Sequence, residues 1–209
     1  MQPIRLRPSQ KIAIVSLFTA LALATNYAML PLSNIKLMDT IVFVSALIFG
    51  LNVGVSVGAL TWLVYGTVNP YGSDPGVLLL LLILSETVYA FLGVLARKVS
   101  GFTLTSVPEK CLLWGSMGLI GAFAYDLVTN IVPPLISGAS LSVALASVLF
   151  PATILFMLAH EISDLAFFAI AGPILVQVIV RVMRQTGAGQ LKPEHPAMVE
   201  TGPEPAQVQ

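Results

Sequence analysis

The residues with the clearest chemical potential lie close together in the last apolar segment of the chain. His160, Glu161 and Asp164 fall within one short stretch of that segment. Residues three and four apart share a face of a helix, so Asp164 would lie beside both His160 and Glu161. Ionisable side chains at bilayer depth are costly, and they therefore mark a candidate functional site.

Two earlier apolar segments also carry an acid near their middle. These acids are Glu86 and Asp126, and Asn130 follows Asp126 on the same helical face. No Lys or Arg lies in the middle of any apolar segment. We therefore expect a group of inward-facing acids without an inward-facing base. Protonated acids that form hydrogen bonds between helices are the structural alternative.

The stretch at His160 partly matches the helix motif of zinc proteases. That motif requires a second histidine at the position that Asp164 occupies. An aspartate can bind zinc, but no third ligand stands out in the sequence. We therefore predict no metal, no cofactor and no catalytic residue, and an intramembrane metallo-enzyme is kept only as a rival hypothesis.

The composition is that of a membrane protein. Of the 209 residues, 56% are hydrophobic and only 10% are charged, whereas soluble domains carry about 25% charged residues. The net charge of zero argues against a nucleic-acid partner. The single cysteine, Cys111, excludes an internal disulfide. We expect a multi-pass protein of the cell (plasma) membrane, in contact with the lipid bilayer.

Six apolar segments predict an all-α integral membrane protein, a compact bundle of six transmembrane helices. A single domain is expected over residues 1–184, with a disordered cytoplasmic tail at 185–209, which is rich in Pro, Gly, Glu and Gln. The first segment could be a secretory signal, but its length favours a retained helix. The segments are residues 12–32, 40–51, 54–68, 77–96, 111–132 and 143–182.

Prolines and glycines predict where several of these segments bend or end. Pro133-Pro134 should stop the fifth helix, and the glycines around Asn52 indicate a tight connection. The second segment is short for a hydrocarbon core of ~30 Å, so it could lie tilted inside the bundle. The sixth is too long for one simple span, and Pro151 and Pro173 should mark a start or bend and a kink.

The basic residues predict the orientation. With six spans, Lys36 alone falls on one side of the membrane. The positive-inside rule then places both termini in the cytoplasm. The residues on the cytoplasmic side are Arg5, Arg7, Lys11, Arg97, Lys98, Lys110, Arg181, Arg184 and Lys192.

This orientation brings the acids of three helices to one depth, below the turn-rich outer connections 31–39, 69–76 and 137–142. We expect an outward-facing cavity for a small solute that is cationic or rich in hydrogen-bond donors. Aromatic side chains could stack on such a ligand, although an interfacial aromatic belt explains Trp62 equally well. The additional candidate lining residues are Trp62, Asn69, Tyr71 and Tyr89.

The first segment carries a stripe of small side chains at every fourth position, Ser16, Ala20, Ala24 and Ala28, which would let another helix approach closely. With the mass of 22.2 kDa, six helices and cytoplasmic termini, the Ala20-x-x-x-Ala24 pattern resembles the S-component of an energy-coupling factor (ECF) transporter. S-components are the substrate-binding membrane subunits of importers for vitamins and related micronutrients. The resemblance covers residues 10–184.

The resemblance implies a division of labour between subunits. Ala20 and Ala24 would dock on a coupling transmembrane subunit, which carries two cytoplasmic ATPases. The chain has no G-x-x-x-x-G-K-[ST] phosphate loop, so it would not hydrolyse ATP itself. A stand-alone proton-coupled carrier is a rival function, although no internal repeat relates residues 1–105 to 106–209. The ligand-binding residues implied are Glu86, Asp126, Asn130, His160, Glu161 and Asp164.

Overall fold

The computed structural model describes residues 3–70, 72–74, 76–100 and 107–186, and this part of the chain is helical with no strand. The all-α prediction is therefore confirmed. The helices are α1 (Pro8–Ala28), α2 (Met38–Phe49), α3 (Leu51–Tyr65), α4 (Gly76–Ser100), α5 (Val107–Ile136), α6 (Leu141–Val148) and α7 (Pro151–Gln185).

In the described part of the chain, four helices are long and apolar enough to cross a membrane: α1, α4, α7 and the part of α5 from Pro108 to Ile136. They expose many large apolar side chains, among them Leu80, Ile120 and Leu155, as expected of helices surrounded by lipid. By length and composition the chain is thus a multi-pass membrane protein. The predicted tail from residue 187 onward lies outside the described residues, and Gln185 still belongs to α7.

The short helix α2 lies at the centre of the bundle. All of its 12 residues are buried, and it packs against α1, α3, α4 and α7. A helix that is apolar on every side is stable only when other helices surround it. Its most extensive packing is against α4. The two backbones can approach closely at Gly93, because a Cβ at this position would be 2.2 Å from the carbonyl oxygen of Phe43.

The tight connection between α2 and α3 is at Gly50, so the prediction that placed it at Asn52 is wrong. Gly50 has φ of 103°, a region that side chains disfavour, and it alone separates the two helices. Arg97 of α4 supports the turn, because its guanidinium donates to the carbonyl oxygens of Ala46 and Leu47 at 3.1 and 3.0 Å. A cation at this position also complements the C-terminal end of the α2 dipole.

The predictions made from the prolines are only partly correct. Pro133 and Pro134 do not stop α5, which continues to Ile136, so that prediction is wrong. The two prolines remove only the hydrogen bonds to the carbonyls of Thr129 and Asn130, close to the end of α5, and such prolines are tolerated in membrane helices. Pro151 is confirmed as a helix start: it opens α7, and the predicted sixth segment is the two helices α6 and α7. Pro173 lies within α7.

The two ends of the bundle differ in their charged residues. A groove of about 460 Å³ at the α2–α3 junction is bordered by Arg5, Lys11 and Arg97. The N-terminal segment closes one side of the groove, since Ile4 N donates to Ile48 O at 3.0 Å. The candidate site lies at the opposite end, where the connections α1–α2 and α3–α4 meet.

Candidate functional site

A pocket of about 430 Å³ opens at this second end of the bundle. The connection between α1 and α2 forms one wall, and α3, α4 and α5 supply the others. Among the described residues, its lining combines four aromatic rings, four amide side chains, two carboxyl groups and one amine: Trp62, Tyr65, Tyr125, Phe156, Asn26, Asn34, Asn69, Asn130, Asp74, Asp126 and Lys36.

The amine in the pocket wall is already in contact with aromatic and polar groups. Lys36 Nζ lies 4.9 Å from the centroid of the Trp62 ring, a cation–π distance. The same amine donates to Asn34 Oδ1 at 3.4 Å. Burial raises the pKa of the Asp74 carboxyl above its usual value, and the attraction of Lys36 works against this rise. The pocket therefore presents a site where a cation is held over an indole ring.

Beneath the pocket lies a buried cluster centred on His160, which is 1% exposed. His160 Nδ1 is 3.1 Å from Asp126 Oδ1, and His160 Nε2 is 3.1 Å from Asp39 Oδ2. Asp126 belongs both to this cluster and to the pocket lining. The imidazole thus connects an acid at the pocket floor to an acid deep in the bundle.

The contacts limit how many protons Asp39, His160 and Asp126 can hold together. Both ring nitrogens face a carboxyl oxygen, and a neutral imidazole has only one N–H to donate. Two hydrogen bonds therefore require an imidazolium, or a second proton on one of the two carboxyl groups. Otherwise a cation must lie between two of the electron-rich atoms.

Two further side chains extend the cluster. The Tyr89 hydroxyl lies 3.3 Å from His160 Nε2, and Asp164 Oδ2 lies 3.8 Å from the same nitrogen. Asp164 is completely buried, and neither of its carboxyl oxygens has a hydrogen-bond partner within the described ranges. A buried acid in this condition requires a proton or a nearby cation.

Glu86 is a further buried acid, and it contacts the aromatic wall of the pocket. Trp62 Nε1 donates to Glu86 Oε2 at 3.0 Å, and the other oxygen of Glu86 has no hydrogen-bond partner in the described part of the chain. The stem of Glu86 packs on Gly58, since a Cβ there would come within 2.7 Å of Glu86 Cγ. A ligand that stacks on Trp62 would therefore act on Glu86 through one hydrogen bond.

The helices explain why these groups converge. Asp39 lies in the first turn of α2, where the helix dipole stabilises a carboxylate. His160 and Asp164 are one turn apart on α7. The approach of α5 to α7 depends on Gly118, since a Cβ at this position would be 2.7 Å from the carbonyl oxygen of Asp164. This close packing brings Asp126 to hydrogen-bonding distance of the imidazole.

The structure brings together most of the residues that the sequence singled out. Tyr89, Asp126, His160 and Asp164 belong to the buried cluster, and Glu86 contacts Trp62 in the pocket wall. Trp62, Asn69, Asp126 and Asn130 line the pocket.

Three other groups of predicted residues have different positions. Glu161 is half-buried and belongs neither to the cluster nor to the pocket. Tyr71 lies outside the described residues. Ala20 and Ala24 are exposed on the outer face of α1. The expectation that Tyr89 could stack on the ligand is not supported, because its ring is fully buried and does not line the pocket.

Sequence reasoning missed several residues that shape the site. Asp39 was assigned to a polar connection, although it is 2% exposed and contacts His160. The sequence did contain one indication: Asp39 directly precedes the apolar run of α2, and an acid at that position is typical of the first turn of a helix. Lys36 was counted only for orientation, yet it lies in the pocket wall. Tyr125 and Asp74 were not singled out either.

No protein-family model matches the chain, and neither a curated protein nor a solved structure matches it. The functional class is therefore inferred from the pocket and the cluster beneath it.

Proposed function

We propose that the chain is the substrate-binding S-component of an ECF-type importer. It would capture a small micronutrient, cationic or rich in hydrogen-bond donors, from outside the cell. The observation that carries this proposal is a pocket of about 430 Å³ whose floor is closed by buried acids. Pockets for small molecules measure roughly 300–1,000 Å³, so the volume suits a vitamin or a vitamin precursor.

The closed floor favours binding over conduction. Below Asp126 the bundle continues with Asp39, His160 and Asp164, which are at most 2% exposed. A solute that enters the pocket therefore meets packed side chains. Passage to the other side would require a rearrangement of the whole subunit, and a partner with its own energy source could drive it.

The chemistry of the wall favours a positively charged ligand. Asp126 and Asp74 supply carboxyl groups, and Trp62, Tyr65 and Tyr125 supply aromatic faces. Lys36 over the Trp62 ring is a model for such a ligand, because its ammonium already occupies a cation–π position. An amine or a protonated heteroaromatic ring could take its place.

The outer face of α1 supports a docking role. Ser16, Ala20, Ala24 and Ala28 are all exposed. The inward face of the same helix is formed by Val15, Phe18, Thr19, Ala22 and Asn26. The small stripe therefore faces away from the core of the bundle, and it would allow a coupling subunit to approach the α1 backbone.

Six membrane crossings with cytoplasmic termini fit this arrangement. In that topology α2 and α3 would cross as well as the four long helices, and α6 would remain at the outer end. At ~1.5 Å per residue, α2 is only ~18 Å long, against a hydrocarbon core of ~30 Å. Its complete burial removes the conflict, since it is surrounded by protein and not by lipid. The gathering of Arg5, Lys11 and Arg97 at one end agrees with the positive-inside rule.

Labelling tests the topology. In a variant in which Cys111 is replaced by alanine, we expect single cysteines at Ser73 and Ser140 to react with an impermeant reagent in intact cells. A cysteine at Thr186 should react only after the membrane is opened. Labelling of Thr186 from outside would contradict the six-crossing arrangement.

Reconstitution tests the function. The protein is purified without partners, and mass spectrometry identifies the small molecule that it retains. Uptake of that compound into vesicles should then require a coupling subunit with two ATPases, and ATP. Uptake by the isolated chain would reject the proposal.

A second function is favoured by one specific observation. The carboxyl–imidazole–carboxyl chain Asp39–His160–Asp126 has the composition of a proton relay. A stand-alone proton-coupled carrier would use it to exchange protons for solute. Such a carrier would take up its solute in the absence of ATP and respond to a pH gradient, so the same vesicle experiment separates the two functions.

A further inference from the structure

We propose that Asp39, His160 and Asp164 bind one first-row divalent metal ion of the Zn²⁺ type beneath the pocket. This site goes beyond the proposed transport function and does not depend on it. Each residue offers one ligand atom, and the three atoms lie within 4.8 Å of one another. All three side chains are buried.

The spacing of the ligand atoms suits a small ion. Tetrahedral zinc with bonds of about 2.0–2.2 Å requires ligand atoms roughly 3.3–3.5 Å apart. His160 Nε2 is 3.1 Å from Asp39 Oδ2 and 3.8 Å from Asp164 Oδ2. The two distances bracket the required value. The ligand atoms of Asp39 and Asp164 lie within 4.8 Å of each other, so a movement of these two carboxyl groups toward each other would complete three ligands.

The buried Asp164 carboxyl is the second observation that points to a bound cation. It is 0% exposed, and both of its oxygens lack a hydrogen-bond partner among the residues that the structure describes. One proton between Nε2 and Asp39 would leave Asp164 with only the Tyr89 hydroxyl as a neighbouring donor in this part of the chain. A metal ion would satisfy Nε2 and both carboxylates at once, which offsets the cost of burying the two charges.

Asp126 prepares the imidazole for this role. Its Oδ1 lies 3.1 Å from His160 Nδ1, so it can accept the N–H of that nitrogen. The tautomer with a proton on Nδ1 leaves the Nε2 lone pair directed at Asp39 and Asp164. A carboxylate behind a metal-binding histidine commonly fixes its tautomer and orientation in this way. The Tyr89 hydroxyl, 3.3 Å from Nε2, is a further polar atom beside the site.

The donor set selects the class of ion. One imidazole and two carboxylates suit Zn²⁺ and its first-row neighbours, whereas Mg²⁺ and Ca²⁺ prefer oxygen ligands alone. Because Asp39 belongs to α2 and the other two ligands to α7, the ion would join the central helix to the last one. Metal binding should therefore raise the thermal stability of the bundle.

Metal titration of the purified protein tests the site. Protein without a histidine tag is treated with a chelator, and Zn²⁺ binding is measured by calorimetry and Co²⁺ binding by its visible absorption. We expect one ion per chain and, at a hundredfold excess over Kd, an apparent Tm higher by about 5 °C or more. His160→Gln and Asp164→Asn should each weaken binding at least about a hundredfold.

Two matched variants control for unspecific binding. Glu161→Gln removes an acid next to His160 but outside the ligand set, and His195→Ala removes the other histidine of the chain. Both should bind Zn²⁺ as the wild type does. The absence of saturable binding to the wild-type protein would overturn the proposal, even if a ligand variant fails to fold. Equal affinity in His160→Gln would overturn it too. Because partners and organic ligand are absent, a failure of transport would leave this result unaffected.

Discussion

His160 Nδ1 and Asp126 Oδ1 lie 3.1 Å apart, and this contact joins the ligand pocket to the buried cluster. Asp126 reaches the pocket from α5, and His160 holds its carboxyl group from α7. A charge bound in the pocket would therefore act on the proton or metal content of the cluster through a single carboxyl group. Substitutions at Asp126 should separate ligand binding from folding.

We expect Asp126→Asn to weaken binding of a cationic ligand by about 1.5–3 kcal/mol, the range for a hydrogen bond to a charged group. The amide keeps the size of the side chain, and its oxygen can still accept from His160 Nδ1–H, so folding should survive. Calorimetric titration with the compound that co-purifies with the wild-type protein measures the change. Glu161→Gln, outside the pocket, should leave affinity unchanged. A lower Tm with unaltered affinity would assign Asp126 to helix packing.

The charge of the ligand can be tested at Lys36. Its ammonium lies 4.9 Å from the centroid of the Trp62 ring, where it competes with an incoming cation and repels it. Lys36→Met keeps the length of the side chain without the charge. Affinity for a cationic ligand should rise by about 1 kcal/mol, or roughly fivefold. Lys98→Met is the control, because Lys98 lies in the last turn of α4 and does not line the pocket. Weaker binding in Lys36→Met would show that the ligand contributes an anionic group.

The sequence predicted the helical fold well because membrane helices leave a strong signal. Long apolar runs with basic ends can satisfy their backbone groups in lipid only as helices. The errors are at Gly50 and at Pro133-Pro134, where single residues determine whether a helix continues or ends. A glycine can make a one-residue turn, and a proline can be tolerated in a last turn. Neither outcome follows from residue type alone.

The candidate site was predictable to the extent that charge within an apolar run is rare. That rule identified Glu86, Asp126 and Asp164. It could not identify Asp39, because an acid at the end of a polar connection is ordinary and only the packing of α2 inside the bundle buries it. Which acids meet the imidazole depends on helix rotation and on close packing at Gly118. These are tertiary properties, which a single sequence does not record.

Packing of the central helix can be tested at Gly93. A Cβ added there would lie 2.2 Å from the Phe43 carbonyl oxygen, so Gly93→Ala must push α4 away from α2. We expect a loss of about 3 kcal/mol or more, at the upper end of the costs of overpacking. Gly76→Ala should change stability little, because a Cβ added there would meet no other described part of the bundle within 4 Å. Unfolding in detergent with increasing denaturant compares the two. Equal stability of both variants would contradict the close contact of α2 and α4.

The docking face can be tested by adding bulk to α1. Ala20 and Ala24 are exposed and lie on the small-residue stripe, so a tryptophan at either position should hold a partner helix away. We expect Ala20→Trp and Ala24→Trp to abolish ATP-dependent uptake and co-purification with the coupling subunit. Ligand affinity should remain near that of the wild type, because neither residue lines the pocket. Ile120→Trp is the control, since Ile120 is 63% exposed on a different membrane helix, α5. Its uptake should be normal. Full uptake by both alanine variants in the presence of the partner subunits would remove the docking assignment.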